Sequence, residues 1–280
     1  MKKKNRVGWF FILPSFIGVM LFYFLPFADV VRRSFMRAVG TGFAGVDNFR
    51  QVLENRAFRL AVSNTLRFVL VCLPLLLVLS LGVGVLLQRL VKGKQFLKSA
   101  YLIPLAIPAA SVVLLWQLVF DNQGALNGIL HFLHLEGKDW MNTDASFGVL
   151  VFSYIWKNLG YDVILWMAGL QGISSSLYEA AKVDGAGAWK CFRYITLPNI
   201  RPVACTIVIL SFLNSFKVFR EAYLVAGNYP QEKIYLLQHV FNNWFAELSM
   251  DKMAAGSVLL CLVVTVFVLF LHRSWDWGKE

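Results

Sequence analysis

The chain has 280 residues, of which 58% are hydrophobic and only 15% are charged. An average globular protein carries about 25% charged residues, so this composition excludes a soluble protein, and it equally excludes a disordered chain or a coiled coil. A helix that crosses a bilayer needs about 20 mostly apolar residues, whereas membrane strands alternate over about ten. We predict an all-α integral membrane protein with six transmembrane helices, at residues 8–31, 68–87, 99–120, 147–170, 203–225 and 254–271.

The first predicted span follows the basic start MKKKNR, as in a secretory signal. Its apolar stretch is longer than the core of about 7–15 residues that a cleaved signal has, and no small-x-small cleavage site follows it. We therefore expect an uncleaved signal-anchor.

Basic residues predict the orientation. Lys and Arg are about twice as dense in 1–7, 88–98, 171–202 and 272–280 as in the other loops, which places those four segments in the cytoplasm. Both termini are then cytoplasmic, although the arginine-rich loop 32–67 argues against this. The net charge of +11 is explained by this basic rim on the lipid bilayer, and no nucleic-acid partner is needed to account for it.

The chain lacks the common motifs of enzymes and metal sites. Its four cysteines are scattered, and His131 and His134 stand three apart without a nearby cysteine, so we predict no metal site. No nucleotide-binding G-x-x-x-x-G-K-[ST], no H-E-x-x-H and no G-x-S-x-G occurs. We predict a transport subunit that is not an enzyme and binds no cofactor; any ATP and Mg²⁺ would be bound by a partner.

The long loop between the fourth and fifth spans predicts two short helices. The first is expected to begin at a capping box formed by Ser176 and Glu179, and to end at the glycines 185 and 187. The second covers 188–196 and would be closed by Leu197-Pro198. Such an elbow is either an amphipathic connector in the lipid interface or a docking element for a cytoplasmic partner.

A string of residues in this loop follows a defined pattern: Glu179, Ala180, Ala181, Asp184, Gly185, Ala186, Phe192, Ile195, Leu197, Pro198 and Pro202. It resembles the EAA loop of bacterial ABC importer permeases, most of all the carbohydrate-type branch, whose pattern is EAA-x-x-DGA followed by F-x-x-I-x-LP-x-x-x-P. Two other stretches are also similar to that family, LPSFIGVMLFYFLPF near the start and YLIPLAIPAASVVLLWQLVFD in the third span.

The resemblance implies one permease domain over 1–280, with the type I ABC importer fold, in the bacterial plasma membrane. It implies that the loop is a coupling helix seated in an ATPase subunit, where Glu179 pairs with a basic group of that partner. The residues implied in this coupling are Glu179, Ala180, Ala181, Asp184, Gly185, Ala186, Leu197 and Pro198. The implied partners are a second homologous permease subunit, two ATPase subunits and an extracytoplasmic solute-binding protein.

Polar side chains form a stripe on each of the two spans that flank the loop. Polar groups within spans usually face a bundle interior or a water-filled cavity. We hypothesise that six of them line the solute pathway: Tyr154, Lys157, Tyr161, Asn214, Lys217 and Glu221. The alternative is structural, with Lys217 and Glu221 as an i,i+4 ion pair and with Lys157 and Asp162 bound to a partner subunit.

The predicted function is the permease subunit of an ATP-driven, binding-protein-dependent importer of a sugar or oligosaccharide. A glycerol-phosphate importer is the alternative, because Lys217 and Arg220 could balance an anion, although Glu221 would neutralise one of them. A secondary transporter is favoured less, since no internal repeat is visible between the halves. A membrane-embedded enzyme would need clustered acids or histidines, and the acids within the spans are dispersed.

Overall fold

The computed structural model describes residues 4–37, 42–89, 94–226 and 228–276. The regular secondary structure of these residues is helical, apart from one isolated antiparallel bridge between Met36 and Phe43. A π-helical turn separates α1 from α2, and another separates α10 from α11. In chain order the α-helices are α1 Lys4–Val19, α2 Leu25–Ser34, α3 Asp47–Glu54, α4 Arg56–Arg89, α5 Lys94–Ala106, α6 Ala109–Phe120, α7 Ala125–Phe132, α8 Ala145–Gln171, α9 Ser175–Val183, α10 Ala188–Cys191, α11 Leu197–Asn199, α12 Arg201–Ser215, α13 Phe219–Ala226, α14 Leu237–Ala246 and α15 Met250–Asp276.

Among the described residues, four helical stretches are long and apolar enough to cross a membrane: Phe11–Ser34, Arg56–Gln88, Arg201–Tyr223 and Met250–Arg273. These agree with four of the predicted spans. The predicted span 147–170 lies in α8, which has 27 residues but is not one of the four, because its polar stripe lowers its mean hydropathy. The chain is thus an all-helical membrane protein, and the count of six spans stays a prediction.

The apolar run 99–120, expected as one span, is broken in the middle. Ser99–Ala106 and Ala109–Phe132 meet at an angle of 97°, so together they form either a broken span or a re-entrant loop. Pro108 has an extended ψ of 145° and precedes the first residue of α6. Proline lacks an N–H and disfavours helical backbone at the residue before it, so α5 ends before Pro108.

Contacts divide the chain into two compact units, one of which comprises Met1–Arg59 and Val240–Phe267. Within it, the buried amide of Asn48 donates to the carbonyl oxygens of Ser34 (3.0 Å) and Met36 (2.8 Å). These bonds join the segment after α2 to α3. The single domain expected over 1–280 stays a prediction.

The other unit comprises Leu60–His239 and Val268–Glu280, and α8 lies in its core. Two indole N–H groups hold neighbouring helices to it: Trp166 donates to Ser80 of α4 (2.9 Å), and Trp116 of α6 donates to Ser153 (2.6 Å). A Cβ added at Gly160 would lie only 1.7 Å from the carbonyl oxygen of Tyr101 in α5. Close approach through small residues is typical of helix packing in membranes.

Candidate functional site

The first helix of the long loop begins two residues earlier than predicted. Ser174 is its N-cap, with an extended backbone, and its side-chain oxygen accepts from the N–H of Ser176 at 3.4 Å. Ser176 is already helical, so the prediction that it is the cap was wrong. The predicted capping box with Glu179 is absent from the hydrogen bonds of the described residues, and the Glu179 side chain is exposed.

The end of α9 is a Schellman motif, as the glycine at 185 predicted. Gly185 has a φ of +74°, its N–H donates to the carbonyl of Lys182, and the N–H of Ala186 donates to the carbonyl of Ala181. This 6→1 and 5→2 pair satisfies carbonyls that a helix end leaves free. Gly187 has a different role from the expected one, because it is the N-cap of α10 and so begins the next helix.

The second helical stretch runs further than predicted. It continues through the π-turn Phe192–Thr196 into α11, so Leu197-Pro198 does not close it. In the π-turn, the N–H of Leu197 donates to the carbonyl of Phe192 five residues back. This wider turn accommodates Pro198, whose ring would clash with a carbonyl in a regular α-helix.

The loop turns the family-like residues outward. Glu179, Ala180, Asp184, Gly185 and Pro198 are exposed, and Ala181, Ala186 and Leu197 are half-buried. Large apolar side chains beside them are also exposed, namely Val183 (88%), Trp189 (73%) and Tyr194 (75%). Exposed apolar groups next to polar ones mark an interaction surface.

Contacts on the inner side of the loop hold its two helical stretches together. The hydroxyls of Tyr178 in α9 and Thr196 in the π-turn are 2.9 Å apart, and Cys191 and Thr196 are buried. These contacts fix the two helical stretches relative to each other beneath the exposed surface.

The two helices that enter and leave the loop, α8 and α12, are closely joined. A Cβ added at Gly169 would lie within 3.0 Å of three atoms of the Val203 side chain. Further along, the hydroxyl of Tyr154 donates to the carbonyl of Ser211 (2.9 Å), and the Ser211 hydroxyl donates to Oδ2 of Asp162 (2.8 Å). Asp162 is 1% exposed, and its Oδ1 has no hydrogen-bond partner among the described residues.

A cavity of about 500 Å³ lies beside α8, α12 and α13 and the break between α5 and α6. This volume is typical of small-molecule sites, which occupy about 300–1,000 Å³. All six side chains predicted for the solute pathway line it, together with Arg220, whereas Asp162 points elsewhere. The cavity is lined by Leu105, Ala106, Ile107, Pro108, Ala109, Ser153, Tyr154, Lys157, Asn158, Tyr161, Asn214, Lys217, Val218, Arg220 and Glu221.

The charged side chains of the cavity do not form the predicted i,i+4 ion pair between Lys217 and Glu221. Nζ of Lys157 donates to Oε1 of Glu221 at 2.5 Å, and the two side chains are only 19% and 8% exposed. Nζ of Lys217 donates instead to Oδ1 of Asn214 at 2.7 Å. An i,i+4 pair between Lys217 and Glu221 is therefore excluded, because the partner of Glu221 is on α8.

Besides Ser153, Asn158 and Val218, the sequence predictions missed the segment of the cavity wall from Leu105 to Ala109. Its residues are apolar and resemble any other part of a span, so polarity alone could not identify them. The available signal was Pro104 and Pro108, since proline-interrupted hydrophobic segments point to binding sites in transporters. Among the described residues, no three His, Cys, Asp or Glu side chains come together as metal ligands.

Known proteins similar to the chain are membrane permeases. It is 32% identical to the trehalose/maltose transport system permease protein MalF of Thermococcus litoralis, over 81% of this chain and 79% of that protein. It is 30% identical to the arabinooligosaccharides transport system permease protein AraP of Bacillus subtilis, over 99% and 91%. It is 29% identical to the sn-glycerol-3-phosphate transport system permease protein UgpA of Escherichia coli, over 97% and 94%.

Solved structures show the same fold. A crystal structure of a bacterial ABC transporter involved in the import of the acidic polysaccharide alginate superposes with a TM-score of 0.86 at 20% identity, over 99% of this chain and 98% of that chain. A second, of the alginate transporter in complex with an alginate pentasaccharide-bound periplasmic protein, gives 0.84 at 21% identity, over 97% and 94%. Residues 77–276 match the sequence family of these permeases. The chain therefore belongs to the family of binding-protein-dependent transport system inner membrane components.

Proposed function

We propose that this membrane protein is the permease subunit of an ATP-driven importer of a sugar or oligosaccharide. Three relatives with high coverage carry the names of permeases for trehalose and maltose, arabinooligosaccharides and glycerol 3-phosphate, which supports a carbohydrate-like solute. The chain has no nucleotide-binding loop, so ATP and Mg²⁺ bind to a partner ATPase.

The working transporter in this proposal contains a second homologous permease subunit, two ATPase subunits and an extracytoplasmic solute-binding protein. The chain crosses the bacterial plasma membrane six times, and both its termini lie in the cytoplasm. The density of Lys and Arg supports this orientation. The periplasmic protein in one similar structure supports a binding protein as partner.

The observation that carries the proposal is the placement of the loop at residues 171–202. Five of the eight residues implied in coupling are exposed on this elbow, and α8 and α12, which enter and leave it, pack together at Gly169 and Val203. The same two helices supply side chains to the cavity. A displacement of the loop is therefore transmitted to the cavity walls through packed helices.

The mechanism follows from this connection. The ATPase pair closes when ATP binds, moves the loop, and so changes which side of the membrane the cavity faces. A partner can shift such an equilibrium only by its different affinity for the two states, so the contact between the ATPase and the loop must differ between them. The permease performs no bond chemistry; the solute is released when the cavity opens inward.

Co-purification of the tagged full chain with its ATPase tests the proposal. Glu179→Ala removes an exposed carboxylate that has no hydrogen bond among the described residues, so the fold should remain intact. We expect the ATPase to be lost, or its activity to become insensitive to the loaded binding protein. Glu247→Ala is the matched control, because Glu247 is also exposed but lies in the segment predicted to be outside the cell.

Two results would contradict the coupling role. One is a Glu179→Ala transporter that assembles and imports solute as well as the Glu247→Ala control. The other is solute uptake by the purified permease without any ATPase, which would instead support a secondary transporter.

A further inference from the structure

The charges that line the cavity point to the chemical class of the solute, an inference that rests on the function proposed above. Four charged side chains line the cavity, of which three are basic (Lys157, Lys217 and Arg220) and one is acidic, Glu221. An excess of positive charge within membrane spans is energetically costly, and ionised groups there are ordinarily paired or face a binding partner. Which cations remain without an ion pair depends on which of them Glu221 neutralises.

Glu221 already forms an ion pair with Lys157. The 2.5 Å contact joins two side chains that are largely buried, so each neutralises the other in a poorly solvated place. Asp162 is the acid of α8, but it is buried, accepts from the Ser211 hydroxyl and does not line the cavity. The sequence argument that Glu221 would neutralise Lys217 or Arg220 therefore does not hold.

Two cations remain uncompensated in the cavity. The ammonium group of Lys217 is held by a neutral acceptor, Oδ1 of Asn214. Arg220 has no ion pair with any described residue. Both side chains are exposed, so a ligand can reach them. The cavity also includes Ala109, the first residue of α6, where the positive end of the helix dipole adds to the same potential.

The rest of the cavity wall suits a sugar. Asn158 supplies an amide group to the lining, and Tyr161, which is half-buried, supplies an aromatic ring. Amide groups bind hydroxyls, and aromatic rings pack on the apolar face of a pyranose. We propose that the solute is an anionic carbohydrate whose carboxylate or phosphate group is bound by Lys217 and Arg220, and whose hydroxyls contact the polar residues of α8.

The test is equilibrium binding to the complete transporter, with both permease subunits and the ATPases, in lipid nanodiscs at about 0.15 M salt, without the binding protein. Three probes are titrated: trigalacturonate for a carboxylated sugar, sn-glycerol 3-phosphate for a phosphate, and maltotriose for a neutral sugar. Each is measured with the unmodified chain, with Lys217→Gln, with Arg220→Gln and with the double variant. Lys138→Gln is the control, because Lys138 is exposed and does not line the cavity.

We expect one of the anionic probes to bind more tightly than maltotriose. Each single variant should weaken its binding about tenfold, equivalent to about 1.4 kcal/mol, and the control should not change it. The better of the two anionic probes distinguishes a carboxylate from a phosphate.

Three results would overturn the inference: tighter binding of maltotriose than of either anion, no binding of either anion, or unchanged anion binding in the double variant. A fourth is loss of the second permease subunit from the double variant, since the two cations would then be paired with acids of that subunit. None of these results requires loss of the ATPase, so failure of the inference can be distinguished from failure of the proposed function.

Discussion

The packing of α5 against α8 predicts a large loss of stability from one added methyl group. In Gly160→Ala, the new Cβ would lie 1.7 Å from the carbonyl oxygen and 2.4 Å from the carbonyl carbon of Tyr101. Real Cβ contacts essentially never fall below 3.0 Å, so the helices must separate by about 1.3 Å at this point. The obstructing atoms belong to the backbone, so a change of rotamer cannot relieve the clash.

Overpacking of a core costs about 1–3 kcal/mol, and a backbone clash belongs at the upper end of that range. We therefore expect Gly160→Ala to lower the free energy of unfolding by about 3 kcal/mol, as measured by SDS titration in mixed detergent micelles. Gly148→Ala is the control in the same helix, because no atom lies within 4 Å of its added Cβ. That variant should be neutral or up to about 1 kcal/mol more stable, since alanine favours helix over glycine.

Gly169→Ala separates backbone clashes from side-chain clashes. Its Cβ would meet the Val203 side chain at 2.8–3.0 Å, so the cost should be smaller, about 1 kcal/mol, and Val203→Ala should restore much of it. Equal stability of Gly160→Ala and Gly148→Ala would refute the close approach of α5 and α8.

Two further predictions concern polar residues outside the predicted spans. Asn127 is 2% exposed, donates to three backbone carbonyls, and accepts from the N–H of Lys138 and the indole of Trp140. Asn127→Ala should therefore lower the free energy of unfolding in detergent by about 3 kcal/mol, because it leaves buried backbone groups without partners. Gln123→Ala, at an exposed position, should leave it unchanged. A small loss from Asn127→Ala would show that these bonds do not hold the loop. Burial lowers the pKa of His239 to about 4, so the unfolded chain binds more protons than the folded chain between about pH 6.5 and pH 4. The free energy of unfolding should therefore fall as the pH is lowered through that window, by at most about 1.4 kcal/mol per pH unit. His239→Leu should make this fall with pH less steep. The same slope in that variant would show that another group causes the pH dependence.

Much of the architecture follows from local patterns in the sequence. Runs of about 20 apolar residues predicted four stretches that the structure contains as long apolar helices, because the bilayer requires such runs wherever a helix crosses it. The helical spacing of polar residues in α8 placed Tyr154, Lys157 and Tyr161 on the face that lines the cavity, although Asp162, in the same stripe, does not line it. The glycine at 185 predicted its helix end for the same local reason.

Other features could not be predicted from the sequence, because they depend on contacts with residues far away along the chain or on competition between neighbouring residues of the same type. Serine caps helices well, so Ser174 and Ser176 are equivalent by residue type, and the structure has Ser174 as the cap because its backbone is the extended one. The break at Pro108 was not predicted, because proline alone does not interrupt every helix of this chain: Pro74 lies inside α4.

The partner of Glu221 could be decided only by the tertiary structure. Lys217 is close to it in sequence, but Lys157, 64 residues away, is the group that reaches it. The 3₁₀ turn Phe216–Val218, which joins α12 to α13, changes the local helical geometry between Lys217 and Glu221, while the packing of α8 brings Lys157 to the acid. The sequence by itself thus determined four long apolar helices, the helix end at Gly185 and the polar faces of α8 and α12. The packing of those helices decided which charged side chains form an ion pair, because an ion pair depends on distances in space rather than along the chain.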